Sequence, residues 1–295
     1  MTDSTTASVV SKDGTQITYD RLGFGPPLVV VAGALGLRKS SFVRPWVKAL
    51  AEHFTVYNYD RRGRGDSGDA KPYTVQREID DLAALAKEAG GAPFVWGISS
   101  GAALALEAAA AGVRMAKLAA YEPPYMVGDV AGRPDPDYEE RVRTLIAQGR
   151  RDDAVKYFMR TVGVPKFFIV LMRLFPFWKD MRAVAHTLPY DAAVMGGFTL
   201  PADRLARIRV PTVVMSGEKS PPALRTGAAA TAKAIPGAQL RVLPKQSHGI
   251  KAAALAAALR AAFLSNGEGV TAEKPAKSRF LSPFIRRVSE GTNRH

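Results

Sequence analysis

Gly97-Ile98-Ser99-Ser100-Gly101 has the form G-x-S-x-G and joins two segments of opposite character. Before it stands the short apolar run Pro93-Phe94-Val95-Trp96, which reads as a strand. After it comes Ala102 to Ala110, a run of small residues that reads as a helix. Strand, sharp turn and helix around this pattern make a nucleophile elbow. The turn is so tight that side chains at Gly97 or Gly101 would collide with the neighbouring strand or helix. Ser99 then sits at the tip, in a strained backbone conformation. A helix N-terminus lies beside it, where N–H groups and the dipole favour developing negative charge.

Working outward, the chain alternates strands with helices. Two alternating segments from Ser8 to Leu22 flank Lys12-Asp13-Gly14, and Asp-Gly marks a hairpin. Pro27 to Ala32 (PLVVVA) is a continuous apolar run, as expected of a strand buried on both faces. Helical segments are expected at 43–53, 74–88, 223–234 and 251–264, and strands at 54–59, 117–121, 212–216 and 239–243. This alternation implies a parallel sheet covered on both sides. Residues 123–208 contain no strand pattern and hold helical stretches at 138–148, 152–161 and 165–174, so they read as a helical insertion. The expected organisation is a core formed by 1–122 and 209–265, a cap formed by 123–208, and a flexible basic tail over 266–295.

Composition narrows the chemistry. The 295 residues, 47% of them hydrophobic, suffice for one large α/β domain. The absence of cysteine excludes disulfides, thiolate metal sites and a cysteine nucleophile. It also fits a reducing compartment, and the N-terminal residues lack a signal-peptide pattern, so a cytoplasmic protein is expected. The net charge of +14 is scattered, with no nucleic-acid-binding motif, so no nucleic-acid partner is expected. The apolar run Phe167–Met172, closed by Arg173, is far shorter than a membrane span, so no stable membrane insertion is expected.

Four signals now stand in order: a glycine loop after the third strand, the turn Asp60-Arg61-Arg62-Gly63-Arg64-Gly65-Asp66-Ser67-Gly68 after the fourth, the elbow, and a late Gln246-Ser247-His248. With them, the chain over about Ser8 to Ser265 resembles the α/β-hydrolase superfamily. The resemblance implies an α/β fold with a mostly parallel eight-stranded sheet flanked by helices and an inserted helical cap. It also implies a Ser-His-acid mechanism without cofactor or metal.

Of four histidines, His53 ends a helix, His186 lies in the insertion and His295 is the last residue. His248 follows the last strand, where the superfamily carries its general base. The oxyanion donors are expected to be the backbone N–H groups of Ser100 and Ala34, the latter in Ala32-Gly33-Ala34-Leu35-Gly36. The acid has two candidates. Relatives often place aspartate in the loop after the seventh strand, but here it reads Gly217-Glu218-Lys219-Ser220, with serine at the usual carboxylate position. Glu218 is in that loop, two residues early. Glu122 stands directly after the strand ending at Tyr121, where some members carry their acid. The apolar stretch Phe167 to Trp178 is expected to supply mainly the cap's own core and its contact with the main domain. His186 to Asp191 reads as a structural turn, and the turn Asp60–Gly68 as support for the sheet edge and pocket mouth without chemistry.

The resulting expectation is hydrolysis of an ester, thioester or related acyl bond of a small, largely apolar molecule. The alternatives are a C–C bond hydrolase, a cofactor-free lyase or oxygenase on the same fold, or a non-catalytic binder of a small ligand.

Overall fold

The computed structural model describes residues 4–128, 130 and 132–264; the expected tail over 266–295 lies outside them. Thr5–Val10 (β1) and Gln16–Leu22 (β2) pair antiparallel, with Val10 opposite Gln16. Gly14 closes the hairpin at φ +86°, a conformation that favours glycine. Six further strands follow: Pro27–Val31 (β3), Thr55–Tyr59 (β4), Phe94–Ile98 (β5), Lys117–Tyr121 (β6), Thr212–Gly217 (β7) and Gln239–Leu243 (β8). They form one eight-stranded sheet in the order β1-β2-β4-β3-β5-β6-β7-β8. β2 runs antiparallel to β4, and every later pairing is parallel.

Period-two alternation sends each strand's side chains to two cores. Val29, Val31, Val95, Leu118 and Val214 face the helices Val75–Glu88 (α2), Ser100–Ala110 (α3) and Pro222–Ala234 (α10). Leu28, Val30, Trp96, Ala119 and Met215 face Arg44–Leu50 (α1) and Ala252–Phe263 (α11). Burial on both faces explains why β3 reads as a continuous apolar run. The helix α2 starts where its sequence predicts: the Thr74 side chain accepts the Arg77 N–H, and Ile79, Leu82 and Leu85 form its buried stripe. The alanines of α3 have a steric reason. A Cβ at Gly101 would lie 2.2 Å from the Val31 carbonyl oxygen, so this helix rests directly on the sheet.

Between β6 and β7 the described residues form only helices: Tyr138–Ala147 (α4), Arg151–Thr161 (α5), Lys166–Met172 (α6), Phe177–Ala183 (α7), Leu188–Met195 (α8) and Ala202–Leu205 (α9). The short 3₁₀ turns Ala185–Thr187 and Gly196–Phe198 flank α8. Two expectations are corrected here. The turn expected at 186–191 is a 3₁₀ turn running into α8. Pro189 stands in the first turn of that helix, where its missing N–H is no loss. The stretch Phe167–Trp178 is mostly not core. Ile169 and Trp178 are buried, but Phe167, Phe168, Val170, Leu171, Leu174 and Phe175 are exposed. The cause is geometric: apolar residues surround α6 on all sides, and a helix of two turns turns only one face inward. That face packs in a third core built around Tyr138, Val142, Val155, Met181 and Leu188.

Candidate active site

The chain leaves β3 to one side for β4 and returns to the other for β5, so the order reverses between β3 and β5. In open α/β sheets the crevice outside the carboxyl ends of the strands at such a point is the ligand site. Ala34 follows β3, Ser99 follows β5, Glu122 follows β6 and His248 follows β8, so the residues singled out from sequence all leave the sheet at this end.

Ser99 is half-buried, with φ 56° and ψ −128°, outside the regions that a serine adopts without strain. Its N–H donates to the Tyr121 carbonyl at 2.9 Å, which ties the elbow to β6. A Cβ at Gly97 would meet the Gly101 carbonyl oxygen at 2.4 Å, so the elbow closes only with glycine there. A Cβ at Gly33 would stand 3.1 Å from Ser99 Cβ, which places the loop after β3 against the elbow. Among the described residues, the N–H groups of Ala34 and Ser100 donate to no protein acceptor. Both are therefore free to donate to a bound molecule.

Glu122 is fully buried, at φ 49°. Its Oε1 accepts the Gly217 N–H at 2.7 Å, and its Oε2 lies 2.7 Å from His248 Nδ1. The loop bearing His248 is anchored from three sides. Tyr121 Oη donates to the Ser247 carbonyl at 2.6 Å, Trp46 Nε1 to the Ile250 carbonyl at 2.8 Å, and the Lys219 N–H to the Gln246 carbonyl at 2.8 Å. Glu218 is exposed, and its Oε2 accepts the Lys245 N–H at 2.8 Å. The structure thus brings Glu122, and not Glu218, to the histidine. Ser220, at the position where relatives often carry the carboxylate, is buried. No hydrogen bond joins Ser99 Oγ to His248 within the described structure; such bonds often form only when substrate closes the site.

Sequence reasoning missed a buried charge cluster beneath the elbow. Arg61 forks onto Glu78 at 2.7 and 2.8 Å and donates to Asp191 at 2.7 Å. Arg64 donates to both oxygens of Asp191, at 2.8 and 2.7 Å, and to the Gly33 carbonyl at 2.8 Å. Ser100 Oγ donates to Asp191 at 2.7 Å. All four charged side chains are buried. Burial alone pushes the Asp191 carboxyl up, but the guanidinium groups of Arg64 and Arg61 outweigh it and hold it below the usual carboxylate range. The turn Asp60–Gly68 therefore does not merely support a sheet edge. It ties the loop of Ala34, the residue after Ser99 and helix α8 into one polar cluster. Two signals pointed to it: arginines packed into a glycine turn, and a lone carboxylate amid the apolar residues of α8.

Elbow, buried carboxylate and histidine loop at the ends of the parallel strands β5, β6 and β8 define a fold class, and the comparisons with known proteins agree. Residues 28–261 match the sequence model described as the Alpha/beta hydrolase family, and the chain belongs to that family. A solved alpha/beta hydrolase from Sphaerobacter thermophilus DSM 20745 is 51% identical, with a TM-score of 0.81 over 87% of this chain and 100% of that one. A thermophilic esterase from Thermogutta terrifontis, 23% identical, shares the fold with a TM-score of 0.62 over 87% of this chain and 97% of its own. Among curated proteins, BpoC of Mycobacterium tuberculosis, a non-heme bromoperoxidase by name, is 34% identical over 92 residues. That match spans 31% of this chain and only 35% of the relative.

Proposed function

We propose that the protein is a serine hydrolase that cleaves an ester, thioester or related acyl bond of a small, largely apolar substrate. Ser99 is the nucleophile, His248 the general base and Glu122 the group that orients it. The observation that carries this reading is the buried Glu122 carboxylate, held by the Gly217 N–H and set 2.7 Å from His248 Nδ1. A carboxylate at Nδ1 selects the tautomer with its proton on that nitrogen and leaves Nε2 as the base.

In the first step His248 Nε2 takes the Ser99 hydroxyl proton as Oγ attacks the acyl carbon, and the carbonyl oxygen becomes an oxyanion between the Ala34 and Ser100 N–H groups. The imidazolium, stabilised by Glu122, then passes its proton to the leaving group as the acyl bond breaks. Water, deprotonated by the same nitrogen, attacks the acyl-serine and releases the acid, and Ser99 recovers its proton.

A fluorophosphonate probe tests the reading. It should label wild type at Ser99 and leave Ser99→Ala unlabelled, and a series of p-nitrophenyl esters should show saturable turnover that the same variant lacks. Absence of labelling, or a Ser99→Ala protein that retains turnover, would overturn it.

A further inference from the structure

The outer surface of α6 and the segment that follows it is unusual for a soluble domain. Phe167 is 73% and Leu174 80% exposed, and Phe168, Val170, Leu171 and Phe175 are exposed between them. Phe175 stacks on Phe177, and Phe177 meets Phe42 edge-on at 5.5 Å, so the patch reaches the loop that follows Ala34. Contiguous apolar surface of this kind marks an interaction site. Exposed cations flank it along the chain. Residues 160–182 carry Arg160, Lys166, Arg173, Lys179 and Arg182 against one carboxylate, Asp180, a net charge of +4. Arg160, Lys166, Lys179 and Arg182 enter no ion pair among the described residues.

We propose that this face docks on an anionic lipid surface, with Phe167 and Leu174 entering the boundary between headgroups and acyl chains. Bulky apolar residues with a cationic border suit that boundary, because burial of the apolar side chains and attraction to anionic headgroups act together. The charge selects this occupant over two others. A second copy of the chain would set these cations, Arg160, Lys166, Lys179 and Arg182, against themselves if it used the same patch. The residues that follow Ser265 carry Lys274, Lys277, Arg279, Arg286, Arg287 and Arg294 against Glu268, Glu273 and Glu290, so they too are cationic. The docking is peripheral: no helix among the described residues is long and apolar enough to cross a membrane. It is independent of the chemistry at Ser99.

The test is co-sedimentation of the full-length protein with vesicles of phosphatidylcholine alone or mixed with phosphatidylglycerol. Wild type should bind the anionic vesicles, lose affinity as salt rises, and bind neutral vesicles far more weakly. The variant Lys166→Ser/Lys179→Ser should lose about 25-fold in affinity, roughly fivefold for each cation near the surface. Phe167→Ser/Leu174→Ser should lose about tenfold or more. Both should keep the wild-type circular dichroism spectrum and melting temperature, since these side chains are exposed. Phe280→Ser/Phe284→Ser should bind as wild type does. The proposal is overturned if wild type ignores anionic vesicles, if the cap variants bind undiminished, or if only the Phe280/Phe284 variant loses binding. A cap variant that turns a dimer into a monomer by light scattering, with vesicle binding unchanged, would assign the face to a second copy and overturn it too.

Discussion

Replacing Asp191 with alanine removes a carboxylate that is fully buried and accepts from Arg61, from Arg64 Nη2 on both of its oxygens, and from Ser100. Arg61 keeps its fork onto Glu78. Arg64 keeps only neutral acceptors, the Gly33 carbonyl and the Thr187 hydroxyl, because Asp191 is its one carboxylate partner among the described residues. The variant therefore strands a buried guanidinium, which costs about 3–5 kcal/mol. For a domain of this size each kcal/mol lowers the melting temperature by about 2–4 °C, so the expected drop is roughly 6–20 °C. Thermal unfolding followed by circular dichroism reads it directly. A drop below about 3 °C would refute the reasoning, because Arg64 would then be compensated by water or by movement of the loop. Arg64→Met/Asp191→Leu supplies an internal check: removing both charges should give a protein that melts above Asp191→Ala. The pH dependence has a definite sign. The folded carboxyl lies below its unfolded value near 3.9, so its contribution is complete above that pH and disappears as pH falls through the folded value. The gap between wild type and Asp191→Ala should therefore narrow below about pH 4.

Ser99→Ala should abolish ester turnover and shift the melting temperature by no more than about 2 °C, since the side chain makes no hydrogen bond among the described residues; comparable activity in the variant would exclude Ser99 as nucleophile. Glu122→Gln should lower kcat on the order of a hundredfold or more, while Glu218→Gln stays near wild type in the same steady-state assay. In the background of Glu122→Ala, Ser220→Asp should recover part of the lost rate by supplying a carboxylate from the loop after β7, and no recovery would mean that this loop cannot reach the histidine. Gly101→Ala should unfold the protein or sharply lower its yield, because the new Cβ would stand 2.2 Å from a strand carbonyl; a well-folded variant would show that α3 can lift off the sheet.

Much of this molecule follows from local sequence alone. The elbow, the buried strands and the amphipathic helix α2 were readable because each depends on residues within one or two turns: glycines where a Cβ has no room, and apolar residues at period two or 3.6. The candidate base was readable because so few histidines exist and only His248 stands in the loop directly after the last strand. Choice of the acid was not local. Glu122 and Glu218 each sit at a strand end, and only the packing of β6 beside β7 aims one carboxylate at His248 and leaves the other in solvent. The Arg61–Arg64–Asp191 cluster joins residues about 130 positions apart, and no periodicity couples them. The outward apolar face of α6 likewise depended on tertiary structure. Hydrophobicity says that a side chain gains by leaving water, but only the neighbours that the fold supplies decide whether there is somewhere for it to go.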